Sequence, residues 1–404
     1  MINTMVIALA TDEHYLNQTC LVIESVMIVS DCTDMYKFYI LMEQRISESA
    51  ELKFEIIYKK YVNCTIQMIF IDGLLPQVSM SIEHITRPTY YRLLLPQLIK
   101  EDKCLYLDSD VLVCKNLAGF YNLFLGEYEM AGVIAPYWQK LGKREYVLAE
   151  QTGIVSFKTY VNAGVLLLNL MKMREDNFAL KAIQLVNACF PYQDQDIINR
   201  LAYGKIMLLP LKYNVMTAVF SWTEERLSEI FDRNEIQQAK MEPYILHFNN
   251  KYKPWEYLEI TYADKWWETC RYSLFYEDFF KEYQDCFYYY AIVKRNKLWK
   301  YRSFTKEWLR EIGRYSKVYI YGAGIKGKRA VNYFAENQIN IEAVVVSDKL
   351  QNVTEVLGVQ VIDLKSGIDQ RGLFIVATSE KYHIQIRRNL FEKKCYNVLM
   401  LGEV

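Results

Sequence analysis

The sequence predicts an α/β protein in which strands alternate with helices. Three short apolar runs near the N-terminus, residues 4–10, 38–42 and 65–71, have the length and composition of buried strands, and segments with helical spacing separate them. The same alternation begins again near Ser316. Because a chain of 404 residues is long enough for two or three domains, we expect two α/β units.

The composition narrows the classes of function. Lys plus Arg and Asp plus Glu number 48 each, so no net charge favours a nucleic-acid partner. The 9 cysteines form no Cys-x-x-Cys pair, which argues against zinc and redox motifs and fits reduced thiols. The N-terminus has no basic leader with an apolar core, and no window reaches the roughly 18 apolar residues of a membrane span. We therefore expect a cytoplasmic protein, at most peripheral to the inner face of a membrane.

The N-terminal third follows the α/β pattern element by element. The first strand ends at Asp12, and a helix that includes residues 21–26 follows it. A polar helix over 47–61 joins the second strand to the third. After a loop, the sequence predicts a helix that begins near Thr89 and stops before Pro96.

An Asp-Ser-Asp sequence interrupts the next apolar run. Residues 104–107 lead into Asp108-Ser109-Asp110, and residues 111–113 are apolar again. Unpaired buried charge is costly, and a divalent cation with oxygen ligands would offset that cost. A solvated turn is the alternative, because Asp and Ser are common turn formers. Asp12 also follows a strand, and ligands of open α/β sheets bind beyond the carboxyl ends of strands, which favours a functional site.

Four further segments follow along the chain. Residues 160–170 form an apolar strand that begins with Asn162-Ala163-Gly164, and the glycine indicates a close backbone approach or a bulge. A helix is predicted over about 173–188 and a short strand over 208–211. Asp194 lies at the head of a helix that extends to residue 203, where an N-cap is the structural alternative to a functional role.

A lone histidine and a lysine lie close together near residue 250. His247 follows a strand-like run, and Lys253 follows it by six residues. Histidine is a common metal ligand, and lysine binds phosphate as a point charge. A structural histidine is the alternative.

The next segment, residues 256–310, is predicted to be helical and is rich in aromatic residues. Its end, residues 294–310, interleaves basic residues with Trp, Tyr and Phe, which indicates a helix at a membrane surface or against a partner. A linker helix packed between two domains is the alternative.

The C-terminal residues predict a small Rossmann-like unit. The glycines at 322, 324 and 327 form a Gly-x-Gly-x-x-Gly turn between the first strand and a helix to about residue 337, and Asp348 ends the second strand. Dinucleotide binding, simple helix–strand packing and a role in assembly all remain open. The predicted strands are residues 318–321, 343–347, 359–362, 374–378 and 397–401.

Five motifs together resemble the family 8 glycosyltransferases over about residues 1–260. They are HITRPTYYRLLLP, LYLDSDVLV, VNAGVLLLNL, DQDIIN and HFNNKYKPW. The members of this family are retaining enzymes of GT-A fold, similar to bacterial lipooligosaccharide galactosyltransferases and to glycogenin. The resemblance implies a catalytic domain over 1–258 with a mixed sheet flanked by helices, before the connecting segment 259–314 and the Rossmann-like domain 315–404.

The resemblance also implies an activity. We expect transfer of galactose or glucose from a UDP-sugar to a glycan, lipid-linked or protein acceptor, in the synthesis of lipopolysaccharide or another bacterial surface glycoconjugate. The alternatives are an oxidoreductase that uses the Gly-rich turn at Gly322 and a protein that assembles with a partner enzyme.

Site residues follow from the resemblance position by position. It implies that Asp108, Asp110 and His247 bind Mn²⁺, with Mg²⁺ as the alternative, and the histidine nitrogen favours Mn²⁺. It implies that Lys253 contacts the diphosphate and that His84 lies in a donor and acceptor loop.

The remaining implied contacts surround the donor. The nucleotide region comprises Ala10, Thr11, Asp12 and Tyr15, although His14 replaces an asparagine that family members commonly have. Backbone at Ser109 and Gly164 is implied to lie close to donor and metal. Four residues, the last two of them candidate nucleophiles, are implied at the sugar and in catalysis: Arg92, Asn162, Asp194 and Gln195. A front-face reaction, in which the leaving phosphate accepts the proton of the acceptor, is the alternative to a nucleophile.

Overall fold

The computed structural model describes residues 4–76, 87–139, 141–142, 144–188, 190–257, 260–280, 309, 312–347, 354–365, 367–378 and 382–400. His84, Asp348 and, apart from Leu309, the segment 294–310 lie outside these residues. The chain divides into two compact units, Met1–Phe279 and Phe280–Val404. Within the described ranges, no helix combines the length and apolarity needed to cross a membrane.

Unit 1 contains a mixed α/β sheet, as the sequence predicts. Its described strands are β1 (Thr4–Ala10), β2 (Met35–Met42), β3 (Cys64–Phe70), β4 (Lys103–Leu107), β5 (Val111–Val113), β6 (Met130–Ile134), β7 (Val161–Asn169), β8 (Ile206–Leu208), β9 (Val215–Met216) and β10 (Ile245–His247). Seven of them form one sheet in the order β3-β2-β1-β4-β7-β6-β8. The other three form a small sheet in the order β5-β10-β9.

Helices flank these sheets. The α-helices of unit 1 in the described ranges are α1 (Leu16–Ile28), α2 (Glu48–Lys60), α3 (Leu95–Leu98), α4 (Ala118–Tyr121), α5 (Arg144–Thr152), α6 (Leu170–Glu175), α7 (Phe178–Leu185), α8 (Gln193–Leu201), α9 (Thr217–Ser221), α10 (Glu224–Ser228), α11 (Arg233–Met241) and α12 (Ala263–Arg271). Short 3₁₀ helices cover Glu13–Tyr15, Arg87–Leu94, Pro136–Trp138, Phe157–Thr159, Val186–Ala188 and Leu211–Tyr213.

The strand directions bring three chain segments to one edge of the large sheet. β1 and β4 are parallel neighbours, so their carboxyl ends lie side by side. β7 is antiparallel to β4, which places its amino-terminal end at the same edge. The Asp108 N–H donates to the Gly164 carbonyl at 2.8 Å across this junction. The end of β1, the Asp-Ser-Asp turn and the Asn-Ala-Gly segment therefore meet.

The small sheet adds a fourth segment to this edge. β5 leaves the Asp-Ser-Asp turn and pairs antiparallel with β10, with Val111 opposite His247. The Phe248 N–H also donates to the Asp110 carbonyl at 3.0 Å. Strand pairing thus brings a histidine far along the chain against the second aspartate.

Several local predictions differ from the structure. The helix predicted to stop before Pro96 continues through this residue. Pro96 lies in the first turn of α3, where a backbone N–H has no intrahelical acceptor, so the missing N–H of proline costs no hydrogen bond. The helix predicted over 173–188 is two helices, separated at Asn177, whose φ of 53° is left-handed. The predicted strand 208–211 lies instead at Ile206–Leu208. Strands β6 and β9 were not predicted.

Unit 2 is a second α/β unit with a mostly parallel sheet. Its described strands are β11 (Val318–Tyr321), β12 (Ala343–Val346), β13 (Glu355–Val356), β14 (Val359–Asp363), β15 (Leu373–Val376) and β16 (Val398–Met400), and its helices α13 (Ile325–Glu336) and α14 (His383–Glu392). The strand order is β13-β14-β12-β11-β15-β16, with only β13 antiparallel among the described pairs. The sequence predicted the other five strands.

Close packing explains two glycines of the Gly-x-Gly-x-x-Gly turn. Gly322 has a φ of +115°, which favours glycine, and a Cβ on Gly327 would overlap the Gly322 carbonyl oxygen. Helix α13 can therefore lie directly against the end of β11. The assignment of a Rossmann-like, nucleotide-binding domain to this unit stays a prediction.

A buried carboxylate joins α1, the end of α2 and a turn that follows α12. Glu24 on α1 is fully buried and accepts from Lys60 Nζ at 2.8 Å, from Tyr61 Oη at 3.3 Å and from the Leu274 N–H at 2.8 Å. We expect Glu24→Ala to lower the free energy of unfolding by about 2–3 kcal/mol, because buried donors lose their acceptor. Chemical denaturation followed by circular dichroism measures this change.

The control for that measurement is Glu55→Ala. Glu55 pairs with Lys59 on the exposed face of α2, so its loss should leave the unfolding free energy nearly unchanged. Equal effects of the two substitutions would contradict a structural role for the buried carboxylate.

Candidate active site

A cavity of about 430 Å³ opens where the four segments of unit 1 meet. The site residues predicted from the sequence line it, apart from His84, which lies outside the described residues. They are Ala10, Thr11, Asp12, Tyr15, Arg92, Asp108, Ser109, Asp110, Asn162, Gly164, Asp194, Gln195, His247 and Lys253.

Two carboxylates and an imidazole converge at the floor of this cavity. Asp108, Asp110 and His247 each offer one ligand atom, and these atoms lie within 4.8 Å of one another. His247 Nε2 is 3.1 Å from Asp110 Oδ1 and 3.9 Å from Asp108 Oδ2. Asp110 Oδ1 is buried and has no hydrogen-bond partner among the described residues.

Gly164 makes room for this cluster. A Cβ at this position would overlap Asp108 Oδ2 and His247 Cε1. The close backbone approach predicted from the sequence is therefore an approach to the cluster itself. An orphaned carboxylate oxygen, a glycine cradle and an O,O,N donor set together fit a divalent cation.

A lysine compensates the charge of the second aspartate. Lys253 Nζ lies 2.6 Å from Asp110 Oδ2 and donates to the Phe248 carbonyl at 2.7 Å. Burial alone would raise the pKa of Asp110, but Lys253 and His247 outweigh it and lower this pKa below its ordinary value. Asp110 is therefore a carboxylate at neutral pH.

Arg92 joins the first aspartate to Asp194. The guanidinium is 4% exposed, with Nη2 at 2.9 Å from Asp108 Oδ1 and Nε at 3.1 Å from Asp194 Oδ2. It lies over the Tyr106 ring at 4.4 Å. Burial would lower the pKa of Arg92, but Asp108, Tyr106 and Asp194 raise it, so the group stays charged.

Asp194 is not the N-cap that its position suggested as the alternative. Tyr192 occupies the N-cap position of α8, and Asp194 lies buried in the first turn. Burial and the nearby charge of Asp108 raise the pKa of Asp194 to about 6, against the lowering effect of Arg92.

The two predicted amide residues bind the backbone of β7. Gln195 Oε1 accepts from the Ala163 N–H and from Asn162 Nδ2, both at 3.1 Å. Asn162 Oδ1 accepts from the Gly164 N–H at 3.0 Å. Both side chains therefore have fixed orientations, and the Gln195 oxygen faces the strand.

The end of β1 forms the opposite wall. Asp12 Oδ1 accepts from the N–H groups of His14 and Tyr15, at 3.0 and 3.1 Å, and so begins a 3₁₀ helix. Ser109 Oγ donates to the Ala10 carbonyl at 3.0 Å. These bonds hold the backbone of both strand ends at the cavity.

Comparison with known proteins identifies the family. A family model described as Glycosyl transferase family 8 matches residues 6–259, more than half of the chain. The chain belongs to glycosyltransferase family 8. The resemblance that the five motifs indicated is therefore confirmed.

Curated relatives of this family 8 chain are bacterial. It is 25% identical over 272 residues to Glycosyltransferase GlyB of Streptococcus pneumoniae, which covers 66% of this chain and 61% of GlyB. It is 24% identical over 198 residues to General stress protein A of Bacillus subtilis, which covers 47% of this chain and 66% of that protein. The chain spans less than two thirds of the length of either relative.

Solved structures share the GT-A fold. Galactosyltransferase LgtC, in complex with donor and acceptor sugar analogs, superposes with a TM-score of 0.54 at 25% identity, over 67% of this chain and 96% of LgtC. The bifunctional glycosyltransferase WbbM superposes with a TM-score of 0.60 at 19% identity, over 70% of this chain and 52% of WbbM. The predicted GT-A fold of unit 1 is confirmed.

Three aromatic residues that were not predicted from the sequence also belong to this cavity. Tyr137, Trp138 and Tyr192 line the cavity, and the rings of Trp138 and Tyr192 meet edge to face at 4.2 Å. The Tyr137 ring meets Trp222 at 4.8 Å. The sequence signal for them was an apolar run at residues 130–134, typical of a strand, followed by Pro-Tyr-Trp. Because strand β6 was not predicted from that run, the aromatic residues after it were not placed at the site.

Gly164 provides a test of the cluster. We expect Gly164→Ala to weaken Mn²⁺ binding at least about tenfold, because the added methyl group displaces Asp108 and His247 from a shared position. Titration calorimetry with Mn²⁺ measures this affinity.

Gly119→Ala is the matched control, since a Cβ there meets no atom within 4 Å. It should bind Mn²⁺ as the wild type does. Unchanged binding by both variants would rule out a metal site at Gly164.

Proposed function

We propose that this chain is a retaining glycosyltransferase that uses a divalent cation and a UDP-sugar donor. It transfers galactose or glucose to a glycan, lipid-linked or protein acceptor of a bacterial surface glycoconjugate. The observation that supports this proposal most directly is the cluster of Asp108, Asp110 and His247 in the cavity, with Lys253 beside it. The similarity to a galactosyltransferase supports a hexose donor.

Asp108, Asp110 and His247 would hold the cation, and the imidazole nitrogen favours Mn²⁺ over Mg²⁺. A bound cation acts as a Lewis acid that stabilises negative charge on the diphosphate while the sugar–phosphate bond breaks. Lys253 pairs with the Asp110 carboxylate and would bind the diphosphate as a second positive charge beside the cation. Ala10, Thr11, Asp12 and Tyr15, with backbone at Ser109, would bind the nucleoside.

Four residues would orient the donor sugar. Arg92 fixes Asp194 beside the cluster, and Asn162 and Gln195 bind each other against β7.

The Gln195 oxygen already accepts two hydrogen bonds from β7 residues, which disfavours Gln195 as a nucleophile. Asp194 is ion-paired with Arg92, which weakens a carboxylate nucleophile. These contacts favour the front-face reaction, in which the leaving phosphate accepts the proton of the acceptor.

Acceptor binding and location are proposed on other grounds. The rings of Tyr137, Trp138 and Tyr192 offer apolar faces to the sugar rings of an acceptor. The basic aromatic segment 294–310 would hold the enzyme at the inner face of the membrane, close to a lipid-linked acceptor. Because packing explains Gly322 and Gly327, no observation favours the oxidoreductase alternative.

The first test is release of UDP from UDP-galactose and UDP-glucose, with and without Mn²⁺. We expect Mn²⁺-dependent release by the wild type and its loss in Asp110→Asn, which removes one charged ligand and the partner of Lys253. Asp102→Asn, at an exposed ion pair with Arg174, should retain activity. Absence of both UDP binding and UDP release in the wild type would contradict the proposal.

Lys253→Ala tests the proposed contact with the diphosphate. We expect kcat to fall on the order of 100-fold, because one charge that stabilises the leaving group is removed. Lys59→Ala, on the exposed face of α2, is the control. Steady-state kinetics with saturating Mn²⁺ would separate this effect from weaker metal binding, and an unchanged kcat would remove Lys253 from the mechanism.

A further inference from the structure

An asparagine outside the predicted site connects the cluster to β7. Asn214 is fully buried between His247 and Asn162. Its Oδ1 is 3.0 Å from His247 Nδ1, and its Nδ2 donates to Asn162 Oδ1 at 2.9 Å. Whether His247 Nδ1 donates to Asn214 or accepts from it depends on which ring nitrogen of His247 has the proton. The surrounding hydrogen bonds determine which nitrogen that is.

Two backbone N–H groups of β7 fix the polarity of the network. A backbone N–H can only donate, so the atoms facing Ala163 N and Gly164 N must be oxygens. These atoms are Gln195 Oε1, at 3.1 Å, and Asn162 Oδ1, at 3.0 Å. With both oxygens assigned, Asn162 Nδ2 donates to Gln195 Oε1, as the 3.1 Å separation requires. Neither amide can be flipped without losing a backbone hydrogen bond.

A break in strand pairing supplies these two donors. The β6–β7 ladder shifts register between Gly132 and Ile134, where Ile134 pairs with Val161 and Gly132 with Leu166. The residues of β7 between these pairs do not follow the ladder. The N–H groups of Ala163 and Gly164 lie within this break and bind side chains.

The orientation of Asn162 also fixes the orientation of Asn214 and the tautomer of His247. Asn162 Oδ1 faces Asn214, so Asn214 must donate through Nδ2 and present Oδ1 to the imidazole. An oxygen beside His247 Nδ1 requires the proton on that nitrogen. In the neutral imidazole, the lone pair of Nε2 then faces Asp108 Oδ2 and Asp110 Oδ1, an arrangement that an intervening cation would stabilise.

The opposite end of the network gives the same polarity independently. Asp196 is buried, and its Oδ2 accepts from the Tyr192 N–H at 2.7 Å. Tyr160 donates to Asp196 Oδ1 at 2.6 Å and therefore accepts from Gln195 Nε2 at 3.1 Å. The Gln195 oxygen must again face β7.

We propose that Asn214 is a positioning residue that holds His247 in its Nδ1–H tautomer and so keeps Nε2 available to a metal ion. This inference rests on the metal site of the proposed function. In the other tautomer, a proton on Nε2 would face Asp110 Oδ1, 3.1 Å away, and the imidazole would have no lone pair to offer the cation.

The first experiment compares Mn²⁺ affinity by titration calorimetry, without nucleotide. Asn214→Leu removes the acceptor at similar volume, and we expect the Kd for Mn²⁺ to rise about 10–100-fold. Asn214→Asp keeps an oxygen for His247 Nδ1–H but loses the donor to Asn162 Oδ1, so its Kd should lie closer to that of the wild type than the Kd of Asn214→Leu does. Asn169→Leu, which removes a helix-capping asparagine elsewhere in unit 1, controls for general destabilisation and should bind normally.

The second experiment reads the tautomer directly and needs no variant. With only 4 histidines in the chain, the ¹⁵N resonances of His247 can be assigned by comparison with His247→Gln. They are recorded in metal-free protein about two pH units above the ordinary histidine pKa of about 6.5. We expect Nδ1 protonated in the wild type and Nε2 protonated in a substantial fraction of Asn214→Leu.

The outcomes separate the two proposals. A neutral His247 with its proton on Nε2 in the wild type, or Mn²⁺ affinity in Asn214→Leu equal to that of the wild type, would overturn the role of Asn214. A wild type that binds no Mn²⁺ would instead refute the metal site of the proposed function, whichever tautomer the spectra report.

Discussion

Partial burial of two aspartates in one short turn is the constraint on which the site depends. Asp108 and Asp110 lie between strands of two sheets, and each is largely removed from water. Burial of like charges is costly unless each has a partner of opposite charge. Arg92 pairs with the first aspartate and Lys253 with the second, which leaves one oxygen of each facing His247. Charge compensation by Arg92 and Lys253 thus leaves the inner oxygens available to a cation.

The sheet topology explains why residues so distant in sequence meet there. Parallel neighbours bring the ends of β1 and β4 together, and a purely parallel sheet would have placed the start of β7 at the far edge. Because β7 is antiparallel, its irregular first residues lie at the ligand edge, where their freed N–H groups can bind side chains. The mixed sheet is therefore a requirement of this site.

Much of this could be predicted from the sequence, because strands β1 to β4 have distinct apolar runs and the metal cluster has a recognisable Asp-Ser-Asp turn. Other features depend on contacts that no local pattern records. Asp194 resembled an N-cap because its partner, Arg92, lies about a hundred residues earlier in the chain. Pro96 resembled a helix stop because the sequence does not show where the 3₁₀ helix Arg87–Leu94 ends and a new α-helix begins at Leu95. Asn214 has no signal at all, since its role depends on the orientation of two other amides.

The hydrogen bonds between Asp196 and His247 all point in one direction. Each group donates toward the buried Asp196 and accepts from the side of the cluster, so their dipoles are aligned and polarise one another. The negative end of this series is the Nε2 lone pair of His247. A buried carboxylate outside the cavity can therefore strengthen the imidazole as a ligand without adding a charge to the cavity itself. The members of the series, from anion to ligand, are Asp196, Tyr160, Gln195, Asn162, Asn214 and His247.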